Sequence, residues 1–200
     1  MLQQILLESC YQSLIHLGDL SRYRETELRS KDRNWGPAKG YYDLARALKP
    51  GSGVSFNALA VLALADEDHF RTLYYLYRAV SVPEPPEMAP KNLELECRKI
   101  LDRHAKQRLI SSVQDGSAFS ISQTEFIIFH ARCYKGSNLE DYDDAKMEAL
   151  SQLSNDLVEG PVDGGLNKFC LINIAAVAHT KRELRGMVHF RCFYAISTCC

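Results

Sequence analysis

Three features of the sequence predict an all-α protein built of stacked antiparallel helix pairs, a tetratricopeptide-like or 14-3-3-like α-α superhelix. First, the stretch from Ser13 to Pro85 repeats itself at a period of 34 residues. Tyr41, Leu44, Ala45 and Leu48 return as Tyr75, Arg78, Ala79 and Val82, and Pro50 is answered by Pro83, Pro85 and Pro86. A period of that length with small residues at fixed offsets is the mark of helix–turn–helix repeats. Second, apolar residues elsewhere recur at helical spacing, and no segment shows convincing strand alternation. Third, Pro and Gly fall between these segments, where they punctuate helices. Repeats of this kind build extended grooves that hold peptides, not pockets that do chemistry.

Taken in order, Leu2, Ile5, Leu6, Ser9, Cys10, Ser13, Leu14, Leu17 and Leu20 fall on one helical stripe. That helix is expected to run to about Glu25, with Ser9, Ser13 and Gly18 letting a neighbour come close. The charged segment Glu27 to Asn34 reads as an exposed loop or frayed end. Asn34 is the expected N-cap of the next helix, with Pro37 in its first turn and Trp35 as a staple. This helix carries Ala38, Tyr41, Tyr42, Ala45 and Leu48 and stops at Pro50-Gly51-Ser52-Gly53. Phe56 to Ala65 is small and almost wholly apolar, so it is expected to be buried on most sides. Asp66-Glu67-Asp68 turns the chain and places acid at the positive end of a helix from about Phe70 to Ser81. Further helices are expected at Asn92 to Ile110, Gln123 to Tyr134, Leu139 to Val158 and Leu166 to Lys181, with a polar loop at Ser111 to Ser120. About eight helices result. Gly186 to Cys200 is apolar without clear periodicity, either a short strand or a tail apart from the fold.

Two hundred residues suit one domain, and a 46% hydrophobic share with ten Tyr is enough for a real core. Lys and Arg number 24 against 25 Asp and Glu, a net charge of −1, which predicts no broad nucleic-acid-binding face but leaves room for local patches. No uncharged apolar run reaches the length of a membrane span, and Met1 to Leu17 lacks the basic region and cleavage site of a signal peptide. Of the seven Cys, five are scattered singly, with no C-x-x-C and no Cys/His metal spacing, so zinc is not expected. An odd count without a secretion signal fits a reducing compartment, nucleus or cytosol.

No catalytic constellation stands out: there is no G-x-S-x-G, no phosphate-binding P-loop and no H-E-x-x-H, and neither a cofactor nor a metal is called for. His16, His130 and His179 lie on apolar helices, where a core or boundary role is the simpler reading than a ligand. Asp66, Asp68 and His69 are better explained as a capped, acidic helix start than as a metal site. Arg22 and Tyr23 differ. They stand in the cluster Gly18-Asp19-Leu20-Ser21-Arg22-Tyr23 on an otherwise apolar helix. One reading is structural: Arg22 pairs with Asp19 three residues before it, and Tyr23 is a boundary aromatic. The other is functional: a guanidinium fork and a phenol facing a groove hold a phosphate without a metal.

Set against the tetratricopeptide pattern, Phe56, Leu59, Ala60 and Ala63 line the first helix of a repeat, and Thr72, Leu76 and Ala79 line its second. Ala38, Tyr42, Ala45 and Pro50 do the same for the preceding repeat, with Leu17-Gly18 in its first helix. The stretch between Gly18 and Ala38 is about eight residues longer than the repeat expects. More specifically, Ser13-Leu14-Ile15-His16-Leu17-Gly18-Asp19-Leu20-Ser21-Arg22-Tyr23-Arg24 resembles a helix of the SMG/ever-shorter-telomeres family of nonsense-mediated mRNA decay adaptors and telomerase-activating proteins. The resemblance continues through Trp35, Ala38, Tyr41-Tyr42, Ala45, Leu48, Pro50 and Gly53, then through Phe56 to Ala63, Tyr75 to Val82 and Asn92-Leu93. It extends through Phe126 to His130 and Leu171 to Asn173, and ends at about Leu184.

The resemblance implies that residues 1–95 are the second half of a 14-3-3-like tetratricopeptide domain, that 96–185 form helical hairpins, and that 186–200 are an unassigned tail. It also implies a non-enzymatic adaptor whose phosphoserine pocket uses Arg22 and Tyr23, with Asn57 on the opposite wall, the general mode being capture of a phospho-motif by Arg. The implied partners are a phosphorylated up-frameshift RNA helicase and the mRNA decay machinery, in nucleus and cytoplasm. The register of the family pocket places a further basic residue upstream of Met1, so the chain is expected to be partial. Two alternatives stand beside this reading: a telomerase cofactor that binds telomerase RNA or other single-stranded nucleic acid, and a plain tetratricopeptide scaffold.

Overall fold

Eight α-helices follow one another in the computed structural model, which describes residues 1–27, 33–106, 119–136, 142–159 and 165–184. They are α1 (Leu2–Glu27), α2 (Gly36–Leu48), α3 (Val54–Ala65), α4 (His69–Ser81), α5 (Ala89–Ala105), α6 (Phe119–Lys135), α7 (Tyr142–Glu159) and α8 (Gly165–Leu184). No strand occurs among the described residues; one isolated bridge joins Ser52 to Glu84. Helix α1 pairs with α2 and α3 with α4; α5 packs on α4 and α6, α7 on α6, and α8 returns to α4. The result is the stacked, all-α arrangement the repeat predicts.

The sequence rules that start and stop these helices are visible. Pro37 sits in the first turn of α2 and Pro90 in that of α5, where a missing N–H costs nothing. Asp68 caps α4 by accepting the Arg71 backbone N–H at 2.8 Å. Asn34 lies one residue outside the assigned cap of α2, which is Trp35, yet its Oδ1 still accepts the Gly36 N–H at 3.0 Å. Trp35 is the cap residue rather than the residue before the cap, so it is not the expected staple; its buried indole donates its N–H to Asp66 at 2.7 Å and ties the start of α2 to the end of α3. Helix α5 begins three residues before the expected Asn92, and α6 four before Gln123. The expected end of the fifth helix at Ile110, most of the loop at Ser111 to Ser120 and the tail from Gly186 lie outside the described residues.

Helix α1 corrects the sequence reading. The stripe Leu2, Ile5, Leu6, Cys10, Leu17 and Leu20 is exposed; the buried line is Tyr11, Ile15, Gly18 and Glu25, against α2. Both faces of α1 carry apolar residues, so periodicity cannot choose between them. Ser9 and Ser13 lie on the open side, where the Ser13 hydroxyl bonds the Ser9 carbonyl, and only Gly18 of the small residues meets a neighbour. His16 is exposed as well, so it is not a core histidine. Glu25, where the helix was expected to end, lies inside α1 and is buried: its carboxylate accepts the Asn34 backbone N–H at 3.0 Å and pairs with Arg24 at 3.0 Å.

Two apolar clusters fill the stack. Tyr11, Ile15, Trp35, Ala38, Tyr42, Ala45, Leu59 and Leu62 join α1, α2 and α3. A larger cluster runs from Phe56 to Ala176 and is centred on Phe70, Phe126 and Phe169, whose rings lie 4.5–6.2 Å apart. His130 is sealed within it. Its Nε2 bonds the Asn173 amide oxygen at 2.8 Å and so carries the proton, while Nδ1 has no partner. Burial holds its pKa down at about 4. His179, stacked on the Tyr134 ring, is buried as well, in keeping with the core or boundary role expected of it.

Two predictions follow from this packing. Ala45 and Ala79 are fully buried at helix crossings, so Ala45→Leu or Ala79→Leu should cost about 1–3 kcal/mol by overpacking; unchanged melting of both would argue against the stack. Because folded His130 stays neutral to about pH 4 whereas an unfolded histidine protonates near 6.5, its contribution is complete above pH 6.5. It is lost as pH falls toward 4, by about 3 kcal/mol. Urea titrations across that range should show this loss, and a His130→Phe variant should lose less stability than the parent over the same interval.

Candidate functional site

The site grows out of one close approach. Gly18 sits where α1 crosses α2, and a Cβ built on it would lie 2.4–2.9 Å from the Tyr42 ring. Only a hydrogen at that position lets the ring in. Tyr42 is fully buried, and its hydroxyl donates to Asp19 Oδ1 at 2.8 Å. Asp19 in turn accepts Arg22 Nη2 at 3.1 Å, and Arg22 Nε reaches the Tyr42 hydroxyl oxygen at 3.4 Å. Asp19, Arg22 and Tyr42 thus form a closed triangle seated by a glycine, and the expected Asp19–Arg22 pair is present.

Electrostatics hold this triangle in one protonation state. Burial works against the Arg22 charge, but bonds to Tyr42, Tyr23 and Asp19 outweigh it and raise the guanidinium pKa further. Burial pushes the Tyr42 phenol up to about 12, Arg22 lowers it and Asp19 raises it, so it remains a donor at neutral pH. The Arg22 side chain keeps 18% of its surface exposed, and its guanidinium stacks on the Tyr23 ring at 4.2 Å. Tyr23 is 53% exposed. The structure therefore brings Arg22 and Tyr23 together as an oriented cation beside an open phenol. Such a fixed guanidinium suits a planar or tetrahedral oxyanion.

Asn57, the third expected residue, makes its hydrogen bond elsewhere. Its Oδ1 accepts Asn92 Nδ2 of α5 at 2.9 Å. Arg22, Asn57 and Asn92 are spaced 35 residues apart and stand on α1, α3 and α5, the first helices of successive pairs. That spacing is the signal by which Asn92 could have been found. Asn57 and Asn92 line a cavity of about 110 Å³ with Ala60, Leu76, Glu96 and Lys99. Glu96 is buried there; one carboxylate oxygen has no partner and the other bonds His69 Nδ1 at 2.6 Å. Arg103 Nη1 lies 2.8 Å from His69 Nε2, and a guanidinium can only donate, so His69 is neutral with its proton on Nδ1. Asp66, Asp68 and His69 point to three separate partners, Trp35, Arg71 and Glu96. Tyr42 is the other residue that sequence reasoning left out of the site; it was assigned to packing, and its hydroxyl is what links α2 to Asp19 and Arg22.

Comparison with known proteins gives the family of the chain. Residues 38–192 match the family described as the Est1 DNA/RNA binding domain, and residues 1–28 match the family described as telomerase activating protein Est1. The first match reaches past Leu184, where the resemblance was expected to end. Over 131 residues, 66% of this chain and 10% of the relative, the chain is 32% identical to nonsense-mediated mRNA decay factor SMG7 of Danio rerio. It is 35% identical over 113 residues, 56% of the chain and 10% of the relative, to SMG7 of Arabidopsis thaliana. It is 37% identical over 87 residues, 44% of the chain and 18% of the relative, to telomere elongation protein est1 of Schizosaccharomyces pombe. The chain spans about a tenth to a fifth of the length of these relatives. It belongs to the Est1 family.

If the close approach at Gly18 seats the triangle, Gly18→Ala should destabilise by about 1–3 kcal/mol through the clash with the Tyr42 ring. Tyr42→Phe, which keeps the ring and deletes the hydroxyl, should cost about 1–2 kcal/mol. Urea denaturation of both variants checks this, and a neutral Gly18→Ala would mean that the helices part without penalty.

Proposed function

We propose that this Est1-family chain is part of a non-enzymatic adaptor that takes hold of a phosphorylated peptide through Arg22 and Tyr23. The observation that carries the reading is the fixed guanidinium of Arg22, oriented by Asp19 and Tyr42 yet partly open beside an exposed phenol. A phosphate accepts two parallel N–H bonds from such a fork, and the phenol of Tyr23 can donate a third. Asn57 and Asn92, at equivalent places on α3 and α5, extend the same line of first helices and offer amides to a peptide lying along it.

By its likeness to nonsense-mediated decay factors, the peptide we assign is a phosphorylated segment of the up-frameshift RNA helicase, and the role is recruitment of mRNA decay machinery in nucleus and cytoplasm. No helix among the described residues is long and apolar enough to cross a membrane. The telomere relative and the DNA/RNA-binding family description support a second reading, a telomerase-associated cofactor.

Titration with matched phosphorylated and unphosphorylated helicase peptides tests the first reading. The phosphorylated peptide should bind more tightly, and Arg22→Ala should weaken it about tenfold while leaving the unphosphorylated peptide unchanged. Equal affinity for the two peptides would remove the phosphate reading and leave a plain scaffold.

A further inference from the structure

The cavity between α3 and α5 holds a negative charge that nothing in the fold answers. Glu96 is only 2% exposed. Its Oε1 accepts the His69 Nδ1 proton at 2.6 Å, and its Oε2 is buried with no hydrogen-bond partner. The histidine brings no charge of its own, because Arg103, which can only donate, lies 2.8 Å from Nε2. Thr72, which also lines the cavity, has already given its hydroxyl proton to the Asp68 carbonyl at 2.7 Å. A carboxylate oxygen left buried in this way is costly and calls for a donor from outside the fold.

The space for that donor is present. The cavity measures about 110 Å³, room for several water-sized groups. Of its lining, Thr72, Leu76 and Glu96 are buried, whereas Val61, Leu95 and Lys99 are exposed. It therefore opens to solvent between α3 and α5 and deepens toward α4. Asn92 donates its amide to Asn57 at 2.9 Å, which leaves the Asn92 amide oxygen as a second acceptor in the same lining. Lys99 stands three residues beyond Glu96 on α5, yet no ion pair joins the two among the described residues. The chain's own cation thus leaves the carboxylate open.

We infer that this cavity is a subsite for a lysine side chain of the bound peptide, an inference that rests on the phosphopeptide reading above. An apolar sleeve over a carboxylate suits an aliphatic stem that ends in a cation. The lysine methylenes lie against Val61, Leu76 and Leu95, and the ammonium donates to Glu96 Oε2 and the Asn92 amide oxygen. A guanidinium has five donors fixed in a plane and would leave most of them unbonded against these two acceptors. Helices α3 and α5 follow α1 in the stack at about 10 Å per helix, so the cavity stands roughly 10–20 Å from Arg22, about three to six residues of extended peptide. The phosphate and the lysine then anchor one peptide at two points.

Isothermal titration of the whole chain with serine–glycine peptides tests the subsite. Each peptide carries one phosphoserine and one lysine, about three to six residues apart in either direction. Each is matched by a norleucine form, which keeps the stem without the ammonium, and by an unphosphorylated form. At the productive spacing the lysine form should bind about tenfold more tightly than the norleucine form. Glu96→Gln, which keeps an acceptor for His69, should abolish that preference and retain the preference for phosphate. Lys99 is exposed, so Lys99→Met reads the charge of the cavity even if Glu96→Gln fails to fold. It should strengthen the lysine form about twofold and leave the norleucine form as in the parent. Equal affinity of lysine and norleucine forms at every spacing, with phosphate still preferred, would overturn the subsite alone and mean that water fills the cavity. A lysine preference untouched by Glu96→Gln, or a lysine form weakened by Lys99→Met, would overturn it as well. A lysine preference without a phosphate preference would support the subsite and remove the phosphate reading.

Discussion

The contact between Gly18 and the Tyr42 ring is the constraint on which the rest of the first pair depends. With no Cβ at residue 18, α1 and α2 come close enough for a fully buried tyrosine to lie across α1. Its hydroxyl then meets Asp19, and Asp19 and the hydroxyl together fix Arg22. One missing methyl group thus sets helix spacing, satisfies a buried phenol and orients a guanidinium. The same cluster carries Tyr11, whose hydroxyl bonds Ser52 at 2.8 Å and so joins α1 to the loop before α3. Gly53 repeats the device: a Cβ there would lie 2.5 Å from the Ala79 carbonyl oxygen, and the Gly53 N–H bonds the Glu84 carbonyl at 2.9 Å.

Such an arrangement separates two kinds of polar residue. Arg22 is held by neighbours on its own pair, and Asn57 is held by the next pair through Asn92. Further along, buried Glu96 and His69 and part-exposed Arg103 form a hydrogen-bonded chain between α4 and α5, in which the arginine, able only to donate, leaves the histidine Nε2 as acceptor. Polar side chains therefore set the register between pairs, while alanines, with only a methyl group, let the helices cross closely.

Much of this was legible in the residues. Helices α2, α3 and α4 are bounded by Pro, Gly and acidic caps that act locally, so their limits follow from sequence to within a few residues. The Asp19–Arg22 pair was legible from its i, i+3 spacing, whereas the weight given to Arg22 and Tyr23 as a phosphate site came from the family resemblance. The buried face of α1 was not, since Leu2, Ile5 and Leu6 make as good a stripe as Tyr11, Ile15 and Gly18, and only the partner helix decides. Nor were the roles of Tyr42, Glu25 and Glu96, whose hydrogen bonds go to residues 9 to 27 positions away and leave no local pattern.

The measurement that bears most directly on this account is the affinity of Tyr42→Phe for phosphorylated and unphosphorylated forms of one peptide. Tyr42 is fully buried and cannot touch the ligand, so its hydroxyl acts only by orienting Arg22. The account predicts that the preference for the phosphorylated form falls several-fold in this variant while the unphosphorylated peptide binds as before. An undiminished preference, in a variant that remains folded, would contradict it.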